Sequence, residues 1–562
     1  MWHLLLAALG IGWLIAPGVI AGDLPAALGA VGQLAPRSWP GGRLLLLSCE
    51  AAALACGFLA WGRPILRWLL GGPRRGALPG PFALALGLGL AGSGVLGFGV
   101  TGLLRRPLPE VACIGLILPG AWWALRRLDR RRRAWSSSFS LRPAFVLVAA
   151  IVVWYAAMMV TDLLAPESFW DVIVYHLGVP ARWMERHRIA AGEPFFGESP
   201  LLMSALYFLG FVWQGESLAR MISLLCWGLR GWGVWTIARR WMTGRDALVA
   251  SWLAAGAPLA VLCGLHAGSD IGMAAFGVLA MAAWLRGAPR WPRRDVRGGW
   301  LLLAGVSAGL AASTKWPGLA VPLVLALLSV PLGREARWFV YGVFPPLMPW
   351  MAKAYLLMGD PFFPLGGFAW TSPFWREFSV RSYLDDLLGV RDETDLGRAL
   401  GSWLHRGVLD RFRLGLLGPA PLIAVASLLA GGLLARGAVP PLLFCAALGV
   451  LWATSVPAFR FFLPGLALLP VLIRPADRSR WRRLVMAAAI GLNMLWLPRV
   501  LDEVDRPWCS ARGSCARTQY YRAVLLHASL DATTFVSKGL WPGPVRRTLT
   551  VGEVRTFLAP PW

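Results

Sequence analysis

Two residues in one polar segment have the types and spacing for acid–base chemistry. Asp171 and Tyr175 lie four residues apart in Trp-Asp-Val-Ile-Val-Tyr-His, so a helix over 170–179 would place both side chains on one face. A carboxylate beside apolar rings at a membrane boundary can act as a general base toward a hydroxyl or amine. An amphipathic helix with aromatic anchors at the membrane surface explains the same segment equally well.

Lys315 and Arg460 are cations that could meet a negatively charged substrate. Lys315 separates two short apolar segments in a chain with only three lysines. A charge at membrane depth usually faces a cavity or a partner, and a compact ammonium suits a phosphate or a carboxylate. A lysine at a helix end that extends its amine to the interface is the alternative. Arg460 begins an apolar run on the predicted outer side, and its guanidinium suits bidentate phosphate binding.

A further pair of polar residues lies in the short turn His-Ala-Gly-Ser-Asp, which runs from His266 to Asp270. Asp270 opens an apolar run, so it could be a second acid or the N-cap of a helix. The topology derived below places this turn, most carboxylates and five of the six histidines on the outer side. We therefore expect any chemistry to take place on the outer face.

The composition indicates that the elements positioning these residues lie in a membrane. Hydrophobic residues make up 57% of the 562 residues and charged residues 15%, with a mean hydropathy of +0.58. Apolar runs near the ~20 residues that cross a bilayer recur throughout the chain. The net charge of +26 would suggest nucleic-acid binding in a soluble protein. Here the arginines lie in short blocks between apolar runs, as the positive-inside rule predicts, so no nucleic-acid partner is expected.

The sequence predicts an all-α polytopic membrane protein with about 15 transmembrane helices. The expected spans are 3–22, 43–61, 82–103, 111–125, 143–165, 217–238, 246–265, 270–285, 299–313, 316–332, 338–358, 413–435, 439–454, 458–474 and 483–498. The arginine-rich block 126–133 should be cytoplasmic, which places residues 166–199 outside. Charge bias then allows one crossing before Arg239, so we expect 200–214 to be a helix lying at the outer interface.

The predicted organisation has three parts. Residues 1–135 form an N-terminal extension of four spans, and residues 136–498 form the core with outward loops 166–199 and 359–412. Residues 499–562 form a short outward tail. The first run lacks a basic n-region and a clear cleavage site, so we interpret it as a retained span. The amino terminus is then inside and the carboxyl terminus outside.

No motif for a familiar cofactor is present. The sequence contains no phosphate-binding loop, dinucleotide fingerprint or His-Glu-x-x-His, and its eight cysteines show no metal-binding spacing. Cys509 and Cys515 could form a disulfide if the tail lies outside. We predict no cofactor, while leaving a divalent metal open.

Several segments resemble polytopic glycosyltransferases of the GT-C fold, especially the bacterial relatives of protein O-mannosyltransferases and lipid A aminoarabinose transferases. The resemblance covers about 143–498 and is carried, in order, by Asp171-x-x-x-Tyr175-His176-Leu-x-x-Pro180, Ser199-Pro200, Ser269-Asp270, Gly309-Leu-x-x-x-Thr314-Lys315, Gly359-Asp360-Pro361 and Arg460-Phe-Phe-Leu-Pro464. Residues 1–135 have no counterpart in it. The family pattern also places an acidic residue beside the first-loop aspartate, whereas Val172 follows here; Glu167 or Glu198 could substitute.

The resemblance implies a GT-C core and a transfer reaction in the cytoplasmic membrane of a bacterial-type cell. Asp171 would be the general base or would orient the acceptor, while Lys315 and Arg460 would bind the donor phosphate. The donor would be a polyprenyl-phosphate sugar, and the acceptor a lipid, glycan or protein. Hexosyl or pentosyl transfer would proceed with inversion. The other residues expected to bind substrate are Tyr175, His176, Glu198, His266 and Asp270.

Two other classes of function remain open from the sequence. A transporter or flippase for a lipid-linked or other anionic substrate would have a midplane site and internal repeats, yet no convincing repeat of the first half is visible in the second. A scaffold for envelope assembly with a degenerate site is the other alternative. Convergence of Asp171, Lys315 and Arg460 at the outer boundary would favour the transferase.

Overall fold

The computed structural model describes residues 41–71, 80–132, 171–190, 199–213, 215–366, 438–453, 459–472 and 488–494, with the single residues 159, 163, 167, 169 and 497. The α-helices of this part are α1 Gly41–Leu69, α2 Gly80–Val100, α3 Leu108–Arg132, α4 Gly178–Arg186, α5 Leu202–Trp213, α6 Glu216–Ala238, α7 Gly244–Ala255, α8 Pro258–Leu265, α9 Asp270–Gly287, α10 Gly298–Thr314, α11 Ala320–Ser329, α12 Arg337–Met358, α13 Val439–Ala453 and α14 Leu463–Leu472. A π-helix covers Val172–His176, and 3₁₀ helices cover Trp316–Leu319, Val330–Ala336 and Phe459–Phe462.

The described residues are helical and contain no strand, and the chain is a multi-pass membrane protein. Four stretches are long and apolar enough to cross a bilayer, namely Leu45–Leu69, Gly80–Val100, Asp270–Gly287 and Trp316–Met358. This confirms the predicted helical membrane class. The number of about 15 spans, the orientation of the termini and the three-part division stay predictions. The first span, loop 367–412 and tail 499–562 lie outside the described residues.

Helix α9 is the centre of the bundle. Nearly all its side chains are buried, and it packs against α6 and α10 along its length and against α14. An 18-residue helix is about 27 Å long, so Asp270 at its start and Arg286 in its last turn mark opposite ends of the bundle. The charged residues described below gather at the Asp270 end, which the sequence predicts to face outward.

Close approach of α10 to α12 depends on small residues. A methyl group at Gly305 would overlap the carbonyl of Phe339, and one at Gly342 would overlap the carbonyl of Leu302. Small residues let membrane helices approach backbone to backbone, where dispersion contacts hold them together. Lys315 directly follows Thr314 at the carboxyl end of α10, in an extended conformation. The packing of α10 against α12 therefore restrains the backbone position of Lys315.

The span predicted over 246–265 is divided into two helices. Helices α7 and α8 meet at an angle of 65°, where Pro258 occupies the first turn of α8 and cannot continue an α-helical hydrogen-bond ladder. The carbonyls freed at the end of α7 accept hydrogen bonds from α6, since Trp227 Nε1 lies 2.8 Å from Ala255 O and Arg230 Nη1 lies 2.9 Å from Ala254 O. These bonds satisfy backbone groups that a membrane would leave without water.

Helices α1, α2 and α3 form an N-terminal layer. Helix α1 packs against both α2 and α3, and α2 joins the layer to the core through α5. The carboxyl end of α2 also contacts the end of the first loop, because the Ile189 amide donates to Gly99 O at 2.9 Å. The described part of the predicted N-terminal extension therefore contacts the end of the first loop at Ile189.

Candidate active site

Asp171 forms an ion pair with Arg460. Arg460 Nη2 lies 2.6 Å from Asp171 Oδ2, and the two side chains are 25% and 17% exposed. Asp171 directly precedes the π-helix, whereas Arg460 belongs to the 3₁₀ helix before α14. The contact joins residues 289 positions apart in the sequence, so only the folded chain brings these two predicted site residues together.

Asp270 extends this pair into a chain of four charged groups. Its Oδ2 lies 3.7 Å from Arg460 Nε, and its Oδ1 lies 3.4 Å from Lys315 Nζ. The structure makes Ser269 the N-cap of α9, so Asp270 is an ion-pair partner rather than the cap. We call Asp171, Arg460, Asp270 and Lys315 the Asp171 cluster.

Two aromatic rings border the cations of the Asp171 cluster. The Arg460 guanidinium carbon lies 5.2 Å from the centroid of Phe169 and 5.4 Å from that of Phe461, and Lys315 Nζ lies 4.6 Å from the Phe461 ring. Cations at these distances are attracted to the negative faces of the rings. The rings also keep water from one side of each cation, which strengthens its interaction with an anion.

Tyr175 donates a hydrogen bond from its phenol to Asp171. Its side chain is buried, and this burial raises the phenol pKa well above its ordinary value, with a further increase from the Asp171 charge. The phenol therefore stays protonated and remains a donor. The four-residue spacing predicted to bring Tyr175 beside Asp171 does so, although the local helix is of the wider π type.

His176 bridges two hydroxyl groups from other elements. Its Nδ1 lies 3.2 Å from Ser204 Oγ on α5, and its Nε2 lies 3.2 Å from Ser269 Oγ at the start of α9. Burial lowers its pKa to about 3, and the positive charge of Lys315 contributes to this. A neutral imidazole can donate at one nitrogen and accept at the other, so His176 holds the loop against both helices.

A second charged cluster lies beside the first. Glu167 Oε1 lies 2.5 Å from His266 Nδ1, and Glu167 Oε2 lies 3.8 Å from Arg220 Nε. We call Glu167, His266 and Arg220 the Glu167 cluster. Burial alone would raise the Glu167 pKa, but His266, Arg220 and the Ala267 amide lower it to about 2. His266, predicted to bind substrate, is thus a partner of Glu167 in this second cluster.

Arg220 is the site residue that the sequence interpretation missed. It lies inside the apolar helix α6 and is 1% exposed. A charged residue within a membrane helix usually has a partner or a function, so the position of Arg220 in an apolar run is sufficient to predict a site residue. Glu198 lies outside the described residues. Within those residues, no group of three or more His, Cys, Asp or Glu side chains is arranged to hold a metal ion.

Comparison with known proteins identifies one family over part of the chain. Residues 200–342 match the family model described as dolichyl-phosphate-mannose-protein mannosyltransferase. This confirms the resemblance to protein mannosyltransferases for those residues, which include Asp270 and Lys315 but neither Asp171 nor Arg460. No curated protein matches the chain.

Solved structures similar to the chain include ArnT from Cupriavidus metallidurans bound to undecaprenyl phosphate. That likeness has a TM-score of 0.46 at 18% identity and covers 68% of this chain and 70% of ArnT. The apo state of the same ArnT gives a TM-score of 0.45 at 19% identity, covering 61% and 63%. The oligosaccharyltransferase of Archaeoglobus fulgidus in the apo form gives a TM-score of 0.36 at 13% identity, covering 71% and 61%.

Proposed function

We propose that the protein is a membrane glycosyltransferase that moves a sugar from a polyprenyl-phosphate donor to an acceptor at the outer face of the cytoplasmic membrane. The observation that carries this proposal is the Asp171 cluster, where two carboxylates and two cations converge at one end of the bundle. The match of residues 200–342 to a protein mannosyltransferase family supports it.

The two cations suit the donor's phosphate. Arg460 offers a planar fork of donors for bidentate binding, while Lys315 supplies a compact charge that can follow an anion over a short distance. Asp270 contacts both side chains and so fixes the space between them. As the polyprenyl phosphate leaves, negative charge grows on its oxygen, and preorganised cations stabilise the transition state more than the ground state.

Asp171 has the geometry for a general base. Its Oδ2 lies 2.6 Å from Arg460 Nη2, which fixes the orientation of the carboxylate. The acceptor oxygen or nitrogen would attack the anomeric carbon while the bond from that carbon to the phosphate oxygen breaks. Asp171 would take the acceptor's proton, and polyprenyl phosphate would leave with the bonding electrons. A single displacement of this kind inverts the anomeric configuration, for a hexosyl or a pentosyl group alike.

The remaining predicted substrate-binding residues fall into three groups. Tyr175 and His176 lie within the site and orient Asp171 and the loop, while His266 acts one step away through Glu167. A binding role for Glu198 stays a prediction. The proposed reaction needs positive charge at the phosphate, which Arg460 and Lys315 supply, so we assign no cofactor. A loss of transfer activity after chelation would reveal a metal that adds to their charge.

The test is a transfer assay with purified protein and a panel of polyprenyl-phosphate sugars, followed by mass spectrometry. Asp171→Asn should lower the transfer rate by roughly 10²–10⁴-fold, the usual contribution of a positioned base, without loss of folded protein. Glu185→Gln is the matched control, because Glu185 is an exposed carboxylate on the neighbouring helix α4. Wild-type activity in Asp171→Asn would refute the assigned base.

One feature favours the transporter alternative, since broken helices often mark transport sites and α7–α8 is such a break. However, Trp227 and Arg230 occupy two of the freed carbonyls, and the charged cluster lies at the ends of α9 and α10. A transporter would move labelled substrate across a vesicle membrane without breaking the sugar–phosphate bond, so release of polyprenyl phosphate separates the two functions.

A further inference from the structure

We propose that Glu167 is a positioning residue that sets the separation of Asp171 and Asp270, and through it the placement of Arg460 between them. This inference rests on the proposed function, because it assigns Glu167 a part in the same transfer reaction. Glu167 itself lies outside the Asp171 cluster and is fully buried.

The spacing along the chain shows how Glu167 could act at a distance. Glu167 lies four residues before Asp171, and His266 lies four residues before Asp270. The contact of 2.5 Å between Glu167 and His266 therefore joins the two carboxylate-bearing segments. Four residues further along both segments, the bridge from Asp171 through Arg460 to Asp270 joins them a second time.

Both carboxylate oxygens of Glu167 are occupied, which fixes its orientation. Oε1 accepts from the Phe169 amide at 3.1 Å in addition to contacting His266, and Oε2 accepts from the Ala267 amide at 3.1 Å. Glu167 thus holds its own segment and the opposing one through backbone groups, which cannot change rotamer.

Arg220 ties this junction to the helical bundle. Its Nε lies 3.8 Å from Glu167 Oε2 and donates to Leu265 O at 2.7 Å. The three charged or titratable residues are nearly inaccessible, with Glu167 at 0%, Arg220 at 1% and His266 at 4% exposure. A buried ion pair is weak evidence for stability, whereas fixing one arrangement is a role that such pairs have in some proteins.

Phe169 provides the physical link between the two clusters. Its ring centroid lies 5.3 Å from that of His266 and 5.2 Å from the Arg460 guanidinium carbon. A shift of Glu167 would move the Phe169 backbone, whose amide it binds, and the ring would then displace Arg460. Misplacement of a reacting group by about 1 Å can lower a rate by about 10²-fold.

The main test uses Glu167→Asp, which keeps the negative charge and draws it back by one methylene group. We expect kcat to fall by about 10- to 100-fold, with a smaller rise in the donor KM, because Arg460 is displaced but both Arg460 and Lys315 are still present. Glu167→Gln, which keeps the length and removes the charge, should also lower kcat. Wild-type kcat in Glu167→Asp, or a change confined to KM, would overturn the inference.

A control separates positioning from stability. Ser329→Ala removes a buried hydroxyl that accepts from Trp284 Nε1 at 2.8 Å near the opposite end of α9, so it should lower the melting temperature and leave kcat unchanged. If Ser329→Ala lowers kcat in proportion to its loss of stability, destabilisation alone explains the lower kcat of Glu167→Asp, and the inference is overturned.

Phe169→Leu tests the transmission without touching the buried charges, and it carries the test if the Glu167 variants fold poorly. We expect a kcat loss of about 3- to 10-fold from the lost cation–π contact. In the double variant with Glu167→Asp the losses should be less than additive, as for coupled residues. Full additivity would overturn the inference. Absence of transfer in the wild type would instead refute the proposed function.

Discussion

The Asp171 cluster and the Glu167 cluster share two segments, the first loop and the turn before α9, and both pair carboxylates with cations from other elements, yet they differ in access to solvent. In the Asp171 cluster the side chains of Asp171 and Arg460 are 17% and 25% exposed. In the Glu167 cluster the side chains of Glu167 and Arg220 are 0% and 2% exposed. One cluster can meet a substrate, and the other is sealed.

This difference assigns opposite physical roles to similar contacts. In the sealed cluster a lost partner leaves a charge uncompensated in a low dielectric, which destabilises the fold. In the open cluster Asp171 and Arg460 are partly exposed, so water can compensate part of a lost contact and the fold should change less. Under the proposed function, the open ion pairs would exchange with a charged substrate, while the sealed pair would maintain the geometry in which that exchange occurs.

The largest expected effect comes from removing the arginine of each cluster. Arg220→Met should lower the free energy of unfolding by about 3–5 kcal/mol, because Glu167 remains as a buried charge. Arg460→Met should lower it by no more than about 1 kcal/mol, since Asp270 keeps Lys315 as a partner. Unfolding titrations in mixed detergent micelles, followed by tryptophan fluorescence, measure both.

Transfer activity, measured on the folded fraction of each variant, should fall more in Arg460→Met than in Arg220→Met. Arg460→Met should lose nearly all transfer under the proposed mechanism. Arg460→Lys is the matched control, because it restores the charge without the bidentate fork and should recover part of the rate. Equal stability losses in Arg220→Met and Arg460→Met would contradict the division into a sealed and an open cluster.

Most of the open cluster could be predicted from the sequence, because its members are charged residues in unusual sequence positions. Asp171, Asp270, Lys315 and Arg460 are charged residues beside apolar runs, where charge is costly. Positive-inside bias places Asp171, Asp270 and Arg460 on the predicted outer side, and Lys315 lies between two short apolar segments. The structure gathers all four at one end of the bundle. Their roles in transfer stay predictions.

The sealed cluster could not be assembled from the sequence in the same way. The sequence indicates Glu167 only as a possible substitute for an acidic neighbour of Asp171, and His266 only as a substrate-binding residue. Their contact spans 99 positions and depends on how the first loop folds against α8 and α9. The break between α7 and α8 is also not predicted from the sequence, since the two helices together have the length and hydropathy of one span, and hydropathy contains no information on the direction of the helix axis.

A smaller effect is expected from Lys315, which tests whether the open cluster binds the donor phosphate. Lys315→Met should raise the donor KM by roughly 10- to 100-fold, the equivalent of a charge-assisted hydrogen bond of about 1.5–3 kcal/mol, with a smaller change in kcat. Initial rates over a range of polyprenyl-phosphate sugar concentrations measure both constants. Asp270 would retain Arg460 as a partner, so the fold should persist.

The matched control for Lys315 is Arg290→Met, which removes a cation at the opposite end of the bundle, where Arg290 is 71% exposed and pairs with Asp295. Its donor KM should equal that of the wild type. A donor KM in Lys315→Met that also equals the wild-type value would remove Lys315 from the phosphate site.

The smallest expected effect concerns His176, which is buried like the sealed cluster but borders the open one. Its pKa is about 3 in the folded protein against an ordinary value of 6.5, so below the ordinary value the unfolded chain binds a proton that the folded chain excludes. The contribution of His176 to the free energy of unfolding is therefore fully present above pH 6.5 and decreases as the pH falls toward the folded pKa of about 3. Linkage gives a loss of about 0.7 kcal/mol between about pH 7 and about pH 6.

His176→Gln should remove this component of the pH dependence, because an amide can still donate to one serine hydroxyl and accept from the other but binds no proton. Glu167 does not obscure it, since that carboxyl changes its stabilising contribution only between its ordinary value of 4.5 and about 2. Unfolding titrations at the two pH values measure the difference, and His187→Gln, which alters an exposed imidazole at the end of α4, should retain the wild-type difference. An unchanged difference in His176→Gln would show that His176 is protonated within the fold, which would place it with the open cluster, where substrate charge can reach it.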